Sequence, residues 1–487
     1  MEKNKSSLAK TFTLLAFVFF IASIISFEIS TSRQTVAKAK QDAEAKAKEK
    51  DADVYEMLEL FGRAFEITKE RYVDDVNNKK LIENAIDGML SKLDPHSSFL
   101  NADDFNDMTE QTTGSFGGLG IEVTMDKGVI KVISPLDDSP AFKAGIEAGD
   151  LITHIDDAQV QGLTLTEAIK KMKGKPGTKV KLKIFRENSE PLDITVVRDI
   201  IRTEPVKSKV KDDGNVGYIR LSTFNENSFD DMVKAIRKIK SDNPNVKGFV
   251  LDLRNNTGGL LDQAVKISDA FLNEGEIVSI MSRQKDGSRV FFASEGDVLD
   301  NKPLVVIING ASASAAEIVA GALQDHRRAV LIGTKSYGKG SVQTLIPLGD
   351  TALKLTTARY YTPSGRSIQA EGIEPDVVVN RAKIEEEKED RMFSEETLTN
   401  ALKNDTKKDT KKDAKSDSEK SDEERDAKDY QLIRAVDLVK GIAVYEERNN
   451  ATKSKLEEKV NSSKSKAKTE VKQQPSKSPK TQNRQGK

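Results

Sequence analysis

The chain has 487 residues, and its 77 basic and 78 acidic side chains leave a formal net charge of −1. That length predicts roughly two or three domains, and the near-neutral balance excludes a dedicated nucleic-acid-binding protein, which would carry a basic excess. The absence of cysteine excludes disulfides, a thiol nucleophile, zinc–thiolate sites and iron–sulfur clusters. The chain has only 3 histidines, which leaves little material for a histidine-rich metal site. We expect no metal and no organic cofactor.

The N-terminal segment, 1–36, is typical of a targeting sequence. Several lysines lie among the first ten residues, and an apolar stretch follows over 11–29. Its length lies between that of a secretory hydrophobic region and the about 20 residues of a membrane span. We predict a signal peptide or membrane anchor over 1–36 and a spacer over 37–52. Because the basic head stays inside, the rest is expected in the periplasm or on the outer face of the cytoplasmic membrane.

Residues 53–114 are predicted to be a helical region. Apolar side chains recur every three to four positions over 53–73 and again over 80–93. The second helix should end at Asp94, because the residue before a proline is pushed out of the helical region. His96 lies in the turn that follows, where it either stabilises the turn or acts as a catalytic base.

Residues 115–198 change to the alternating pattern of strands, with two short helices. The glycines of the GLGI run allow consecutive backbone N–H groups to form a concavity for a terminal carboxylate, beside a strand edge that pairs with an extended peptide. The order GLGI, SPAFKAGIEAGDLITHID and TLTEAIKKM resembles a PDZ domain. The alternative is a small β-rich domain without a ligand. The predicted peptide-binding residues are Gly118, Leu119, Gly120 and Ile121.

Residues 199–380 alternate between strands and helices, which predicts an α/β core with crossover helices. One amphipathic helix, over 228–241, is expected to begin with Ser228 as its N-cap. Buried strands are predicted over 248–256 and 303–309. Charged residues within such a core need partners, so Asp252 and Arg254 are expected to brace it.

A small-residue turn, NGASASAAEI, follows the strand over 303–309. Ser314 would lie at or near the start of the next helix, where unpaired N–H groups of positive character can hold an oxyanion. Small neighbours, including Ala315, would let a peptide backbone approach. The alternative is that Ser312 or Ser314 only caps the helix, as serine commonly does.

A nucleophilic serine needs a base, and the candidates are His326 and Lys339. Lysine can act as a base if burial lowers its pKa toward neutrality. Gln343 could orient the lysine amine by a hydrogen bond; the alternative is a surface lysine in a glycine turn. The run GTKSYGK is not a phosphate-binding loop, because Gly340 stands where that loop needs serine or threonine and a strand follows instead of a helix.

These motifs together resemble the carboxyl-terminal processing proteases, also called tail-specific proteases. The resemblance spans 53–380 and part of 429–445, and is carried by GMLSKLDPHSSFL, VLDLRNNTGGLL, NGASASAAEI, TKSYGKGSVQ and YYTPSGRSIQAEGIEPD. It implies an α/β, crotonase-like protease core with an inserted PDZ domain and an N-terminal helical region. Thr257 stands where the family usually has proline, which bears on the shape of the glycine turn.

The resemblance also implies a set of site residues. Ser314 would be the nucleophile, Lys339 the general base and Gln343 the residue that supports the lysine. The oxyanion hole would use the amide of Ala315 together with one from the glycine pair. The remaining positions implied are Gly258 and Gly259 as that pair, and Glu317 as an auxiliary acid that is either structural or catalytic.

The C-terminal part is dense in charge. We predict a charged low-complexity linker over 381–428 and a disordered basic tail over 448–487. Between them, 429–447 has apolar residues at helical spacing, which predicts an amphipathic helix used for packing or self-association.

The sequence therefore predicts a serine endopeptidase that cleaves exported proteins recognised by their C-terminal tails. The alternatives are a Ser–His hydrolase using His326 or His96, a non-proteolytic PDZ scaffold, and an envelope interaction protein. The resemblance implies protein substrates, an adaptor lipoprotein and a homo-oligomer as partners. Membrane contact is expected through the N-terminal segment, and nucleic acid is not an expected partner.

Overall fold

The structure is a computed structural model that describes residues 53–187, 189–382 and 428–471. The predicted targeting segment, the spacer and nearly all of the charged linker lie outside the described residues. Within the described part of the chain, no helix is both long and apolar enough to cross a membrane.

The chain forms two compact units, with the boundary between Met89 and Leu90. Among the described residues, the first unit contains helix α1 (53–71) and most of helix α2 (Asn78–Ser91). Both helices form where the apolar spacing predicts them. All elements that follow belong to the second unit.

A short strand and a helix begin the second unit. Strand β1 (Ser98–Leu100) is followed by helix α3 (Ala102–Thr113), whose N-cap Asn101 accepts a hydrogen bond from the N–H of Asp104. Helix α3 ends at Gly114, which has φ +67°, a conformation that favours glycine.

A small antiparallel β domain follows. Its elements are β2 (Ser115–Gly118), β3 (Ile121–Asp126), β4 (Val129–Pro135), α4 (Pro140–Lys143), β5 (Leu151–Ile155), β6 (Ala158–Gln159), α5 (Leu165–Met172), β7 (Lys179–Phe185) and β8 (Leu192–Val197). The main sheet has the order β3-β4-β5-β7-β8, so β3 is an edge strand. Ile130, Ile152 and Leu182 are among the buried side chains of its own core, because alternate residues of each strand face inward. Strand β2 pairs with β9 (Asp199–Arg202) outside this sheet.

The core domain contains two further sheets. Its elements are β10 (Val206–Lys211), β11 (Val216–Leu221), α6 (Ser228–Asp242), β12 (Gly248–Asp252), α7 (Leu261–Asp269), β13 (Glu276–Ser282), β14 (Arg289–Phe292), β15 (Leu304–Ile308), α8 (Ala315–Asp325), β16 (Val330–Gly333), β17 (Ser341–Leu348), β18 (Thr351–Tyr361), β19 (Val377–Val378) and α9 (Tyr430–Val471).

The first sheet of the core domain has the order β10-β11-β12-β15-β16-β19, and all its pairs except β10–β11 are parallel. Every residue of β12 and β15 is buried. Parallel strands that are covered on both faces have continuous apolar runs, and for this reason the sequence predicted both strands. The second sheet has the order β1-β18-β13-β14, and β17 also pairs with β18. The predicted mixed α/β architecture is confirmed.

The prediction that Ser228 caps helix α6 is wrong. Helix α6 begins at Ser228, and the N-cap residue Asn227 makes no capping hydrogen bond with its side chain. The Ser228 hydroxyl instead donates to the carbonyl of Thr223 at 3.0 Å and accepts from the N–H of Asn225 at 2.9 Å. This hydroxyl is therefore used in the preceding turn.

Helix α9 corrects the prediction for the C-terminal part. The helix continues to Val471, so residues 448–471 are helical instead of belonging to a disordered tail, and 472–487 lie outside the described residues. Its buried side chains pack on the first sheet of the core domain, so the apolar spacing serves packing within the chain. These side chains are Leu432, Ala435, Val439 and Ala443.

An ion-pair network joins the start of α9 to the core. Arg254 contacts the carboxylate of Asp252 and that of Asp429, each at 2.7 Å. Asp252 is fully buried and also accepts a hydrogen bond from the Tyr218 hydroxyl at 2.8 Å. The two charged residues singled out in the sequence thus brace the core, and they do so with the help of α9.

Candidate active site

Strand β15 leads into the turn that carries the two candidate serines. Ser312 is fully buried, and its hydroxyl donates to the carbonyl of Leu253 at 2.8 Å and accepts from the N–H of Asn309 at 3.0 Å. Ser312 therefore holds the turn together, and its hydroxyl has no freedom to react.

Ser314 occupies the N-cap position of helix α8 with φ 57° and ψ −115°. Such a backbone conformation is sparsely populated for residues other than glycine, and costs on the order of 1–3 kcal/mol unless the surroundings enforce it. The side chain is 7 % exposed, at the junction between the turn and the helix. This strained position is the kind at which functional residues are found.

The carboxylate of Glu317 joins the serine turn to the lysine loop. It is fully buried and accepts four hydrogen bonds. One oxygen, Oε2, accepts from the N–H of Ser314 at 2.8 Å and from the N–H of Lys339 at 2.9 Å. The other, Oε1, accepts from the Ser336 hydroxyl and the N–H of Gly338, both at 2.6 Å. Ser314 and Lys339 are thus neighbours in space, although they lie on different segments of the chain.

Lys339 lies in the loop between β16 and β17 and is half-buried. Burial lowers the pKa of its ammonium group, the positive charge of Lys354 lowers it further, and the negative charge of Glu317 acts in the opposite direction. Among the described residues, its Nζ makes no ion pair or hydrogen bond. The net lowered pKa favours the neutral amine, which is the form that can accept a proton.

Gly258 packs against the serine turn, and the next glycine, Gly259, packs against the backbone of Phe224. A Cβ on Gly258 would lie 2.8 Å from Cβ of Ser314 and 3.1 Å from the amide nitrogen of Ala315. The N–H of Gly258 donates to the Asn256 side chain at 2.9 Å. Within the described ranges, the N–H groups of Gly259 and Ala315 have no acceptor. Of the predicted glycine pair, Gly259 is therefore the one with a free donor.

The predicted lysine partner, Gln343, lies on β17 and is half-buried. Its Nε2 donates to Ser341 Oγ at 2.9 Å and to Thr356 Oγ1 at 3.2 Å. In the described residues, no hydrogen bond joins it to Lys339. Catalytic hydrogen bonds of this kind often form only in the substrate complex.

The two histidines considered as bases lie in different places. His326 is the C-cap of α8, and Ser314 is the N-cap, so the 11-residue helix between them separates the two residues by about 18 Å. Its Nε2 lies 2.6 Å from the carbonyl of Glu276. The prediction that His326 could serve Ser314 is wrong. The pKa of the His96 imidazole is lowered mainly by burial and next by the positive charge of Lys339, so His96 lies near the lysine.

Three family models match the chain. "Peptidase family S41" matches 215–379, "PDZ domain" matches 117–197, and "Activating protease CtpB N-terminal domain" matches 19–104. A carboxy-terminal-processing protease of Bartonella bacilliformis is 52% identical over 369 residues, which are 75% of this chain and 82% of that protein.

Two further relatives carry the same description. A carboxyl-terminal-processing protease of Synechocystis is 37% identical over 324 residues, 65% of this chain and 75% of that protein. A carboxy-terminal processing protease of Bacillus subtilis is 36% identical over 322 residues, 66% of this chain and 68% of that protein. The chain belongs to the carboxy-terminal processing proteases of peptidase family S41.

The PDZ domain of this protease contains the predicted peptide-binding loop between β2 and β3. The carbonyl of Leu119 accepts from the N–H of Ala141 at 2.9 Å, and the carbonyl of Gly120 accepts from the Ser139 hydroxyl at 3.0 Å. Because a peptide group is planar and trans, the N–H of Gly120 points away from Ala141. Gly120 has φ +71°, and a Cβ there would lie 2.4 Å from Cβ of Ser139, so only glycine fits.

Sequence reasoning missed one neighbour of the serine. Tyr360, at the end of β18, is buried, and its hydroxyl lies near the Ser314 side chain. Burial raises the pKa of this phenol, and the Ser314 side chain opposes that shift. The backbone N–H of Tyr360 donates to the carbonyl of Gly340 at 2.8 Å, which attaches β18 to the lysine loop. Tyr360 is the first residue of the run YYTPSGRSIQAEGIEPD, but only the strand pairing shows that it lies at the site.

Proposed function

We propose that this protease is a serine endopeptidase with a Ser–Lys dyad, in which Ser314 is the nucleophile and neutral Lys339 is the general base. The observation that carries the proposal is that one oxygen of Glu317 accepts hydrogen bonds from the backbone N–H groups of both Ser314 and Lys339, at 2.8 and 2.9 Å. The lowered pKa of Lys339 supports the same assignment, because partial burial disfavours the charged ammonium and favours the neutral amine that accepts a proton.

The reaction would proceed in two halves. Lys339 takes the proton of the Ser314 hydroxyl while Oγ bonds to the carbonyl carbon of the scissile peptide. The resulting ammonium then gives this proton to the leaving amine as the carbon–nitrogen bond breaks. In the second half, Lys339 removes a proton from water, the water oxygen attacks the acyl-enzyme, and the serine oxygen leaves with that proton.

The oxyanion of each tetrahedral intermediate would be held by the N–H groups of Ala315 and Gly259. The position of Ala315 at the start of α8 supports this, because the first N–H groups of a helix have no partner in the helix and lie at its positive end. Gly258, the other member of the predicted pair, contributes close packing against Ser314.

We propose that the PDZ domain binds the substrate's C-terminal tail. The tail would add as a strand to the open edge of β3, with its carboxylate at the N–H groups of the loop Gly118–Leu119–Gly120–Ile121. The edge position of β3 and the direction of the Gly120 N–H support this mode. Substrates would be exported proteins if 1–36 directs export. The adaptor lipoprotein and the homo-oligomer remain predictions, testable by a pull-down from envelope extract and by sedimentation.

The direct test is cleavage of an unfolded model protein with an apolar C-terminus by the full chain. We expect the wild type to cut, and Ser314→Ala and Lys339→Ala to be inactive while keeping the wild-type circular dichroism spectrum. Ser241→Ala, at an exposed serine of helix α6, provides the serine control for labelling by a fluorophosphonate, which should modify Ser314 alone. Cleavage that survives Lys339→Ala would contradict the dyad and favour His96 as the base.

A non-proteolytic PDZ scaffold is the other function to separate. It would bind tails with full affinity and would show neither cleavage nor fluorophosphonate labelling. Labelling without cleavage would instead indicate a competent serine that waits for an activator.

A further inference from the structure

The turn after helix α2 holds a carboxylate, that of Asp94, whose partners lie in two segments of the chain. Asp94 Oδ1 accepts from the backbone N–H groups of His96 at 2.8 Å and Ser97 at 2.9 Å, and Oδ2 accepts from the Ser97 hydroxyl at 2.7 Å. Oδ1 also accepts from Thr356 Oγ1, on β18, at 3.1 Å. Burial acts to raise the pKa of the Asp94 carboxyl, but these hydrogen bonds outweigh it and hold the pKa below its usual value.

An ionised carboxylate can only accept hydrogen bonds, so its partners must donate. Thr356 has a single hydroxyl proton, and that proton points to Asp94. The Thr356 oxygen is then an acceptor for any other partner. Its other side-chain partners are Gln343 Nε2 at 3.2 Å and, at the longer distance of 3.5 Å, Ser97 Oγ, and both are placed to donate to it.

The acceptor role of the Thr356 oxygen determines the orientation of the Gln343 side-chain amide. Its two N–H bonds point to Ser341 Oγ and Thr356 Oγ1, so its carbonyl oxygen points away from both. Without Asp94 as its acceptor, the Thr356 hydroxyl could donate its proton to the carbonyl oxygen of Gln343. The Gln343 amide could then rotate so that its oxygen and its NH₂ group exchange places. The two ends of an amide are nearly equal in size, so only the hydrogen-bond network selects between them.

We propose that Asp94 is a positioning residue of this protease: through Thr356 it sets the orientation of the Gln343 amide, so that the carbonyl oxygen is the atom offered to the Lys339 amine. This inference rests on the proposed dyad. A carbonyl oxygen accepts a proton of the amine and leaves its lone pair free to act as a base. An amide NH₂ in the same place would instead donate to that lone pair and block it.

The sheet supports this arrangement. Strand β1 pairs with β18, with Ser98 opposite Lys354, and the hydroxyl of the buried Ser97 accepts from the backbone N–H of Thr356 at 3.1 Å. Two separate bonds therefore attach the Asp94 turn to Thr356. Positioning groups need such support from rigid elements to hold a side chain within tenths of an ångström.

The test uses the full chain and compares Thr356→Val with Thr356→Ser. Valine matches the shape of threonine but lacks the hydroxyl, whereas serine keeps it. We expect Thr356→Val and Asp94→Asn to lower kcat roughly tenfold to a hundredfold with little change in KM, as misplacement of a catalytic group does. Thr356→Ser should retain most of the activity. Asp103→Asn, on the exposed surface of α3, controls for the loss of one negative charge.

Two readouts separate positioning from a merely structural role. In a Gln343→Ala background, adding Thr356→Val should have little further effect on kcat, because the residue through which it acts is gone. The acid limb of the kcat–pH profile should move to lower pH in Thr356→Val, since an NH₂ facing Lys339 disfavours its charged form. The charged groups that act on Lys339, namely Lys354, Glu317 and His96, are unchanged in that variant.

The proposal is overturned if Thr356→Val has wild-type kcat, if its loss is as large in the Gln343→Ala background, or if only the melting temperature changes. Should Asp94→Asn not fold, the pair at Thr356 decides alone. Failure of the dyad would appear separately, as cleavage that survives Ser314→Ala or Lys339→Ala.

Discussion

The most informative single change outside the dyad is Glu317→Gln. The glutamine has nearly the same shape, but one of its two acceptor oxygens becomes an NH₂ group. The NH₂ group can take the place of either oxygen. In the place of Oε2 it leaves the N–H groups of Ser314 and Lys339 without an acceptor, and in the place of Oε1 it leaves the Ser336 hydroxyl and the N–H of Gly338 without one.

The expected loss of stability depends on the burial of Glu317, because water cannot reach the site to replace the lost acceptor. Each buried donor left without a partner costs about 1–3 kcal/mol, so two cost about 2–6 kcal/mol. The Ser336 hydroxyl can rotate to another acceptor, whereas the backbone N–H groups cannot. The amide should therefore turn its NH₂ toward Ser336 and Gly338, which gives a cost near the lower end and distorts the lysine loop.

The assay combines thermal melting with the rate of cleavage of the unfolded model protein. We expect a lower melting temperature for Glu317→Gln and loss of cleavage by about tenfold or more even at temperatures where the protein is folded. Glu295→Gln, at an exposed site, is the matched control. A Glu317→Gln protein with wild-type stability and cleavage would refute the view that this carboxylate holds the dyad together.

Three further changes test other parts of the site. Lys354→Met removes a positive charge that lowers the pKa of Lys339, so the pKa of Lys339 should rise. Because only the neutral amine is a base, the acid limb of the kcat–pH profile should then move to higher pH. Lys354→Arg keeps the charge and should leave the profile unchanged. Tyr360→Phe removes the hydroxyl that lies near Ser314, and we expect a severalfold slower fluorophosphonate labelling with an unchanged fold, whereas an equal rate would show that this hydroxyl is dispensable. Gly120→Ala should raise KM for tail-bearing substrates without slowing the labelling, which equal KM values would contradict.

The catalytic residues could be proposed from sequence because their signals are local. The turn at Ser314 combines a buried strand, a run of small residues and a helix start, and the glycines beside Lys339 allow close approach of the backbone. Each signal alone allowed a structural reading, in which the serine caps a helix or the lysine lies on the surface. Their combined order in the chain resolved the family, and the comparisons confirmed it.

The errors and omissions have one cause, which is that side-chain partners come from distant segments. Ser228 is a good N-cap residue by type, yet its hydroxyl bonds to the preceding turn. The Lys-rich residues 448–471 look too polar to fold by composition, yet they continue a helix whose first turns are buried against the core sheet. Propensity is a weak guide wherever packing of a neighbouring segment supplies the missing stability.

The sequence by itself determined the α/β class and the PDZ domain and indicated the candidate site residues, because strand and helix periods and short motifs lie in consecutive residues. Only the tertiary structure decided which glycine amide is free, that His326 lies at the far end of the helix from the serine, and that the Glu317 carboxylate joins the serine and lysine segments. Tyr360 and Asp94 likewise reach the site through the pairing of β18 with its neighbours. Such contacts depend on sheet register and buried hydrogen bonds, and these are settled only when the whole core packs.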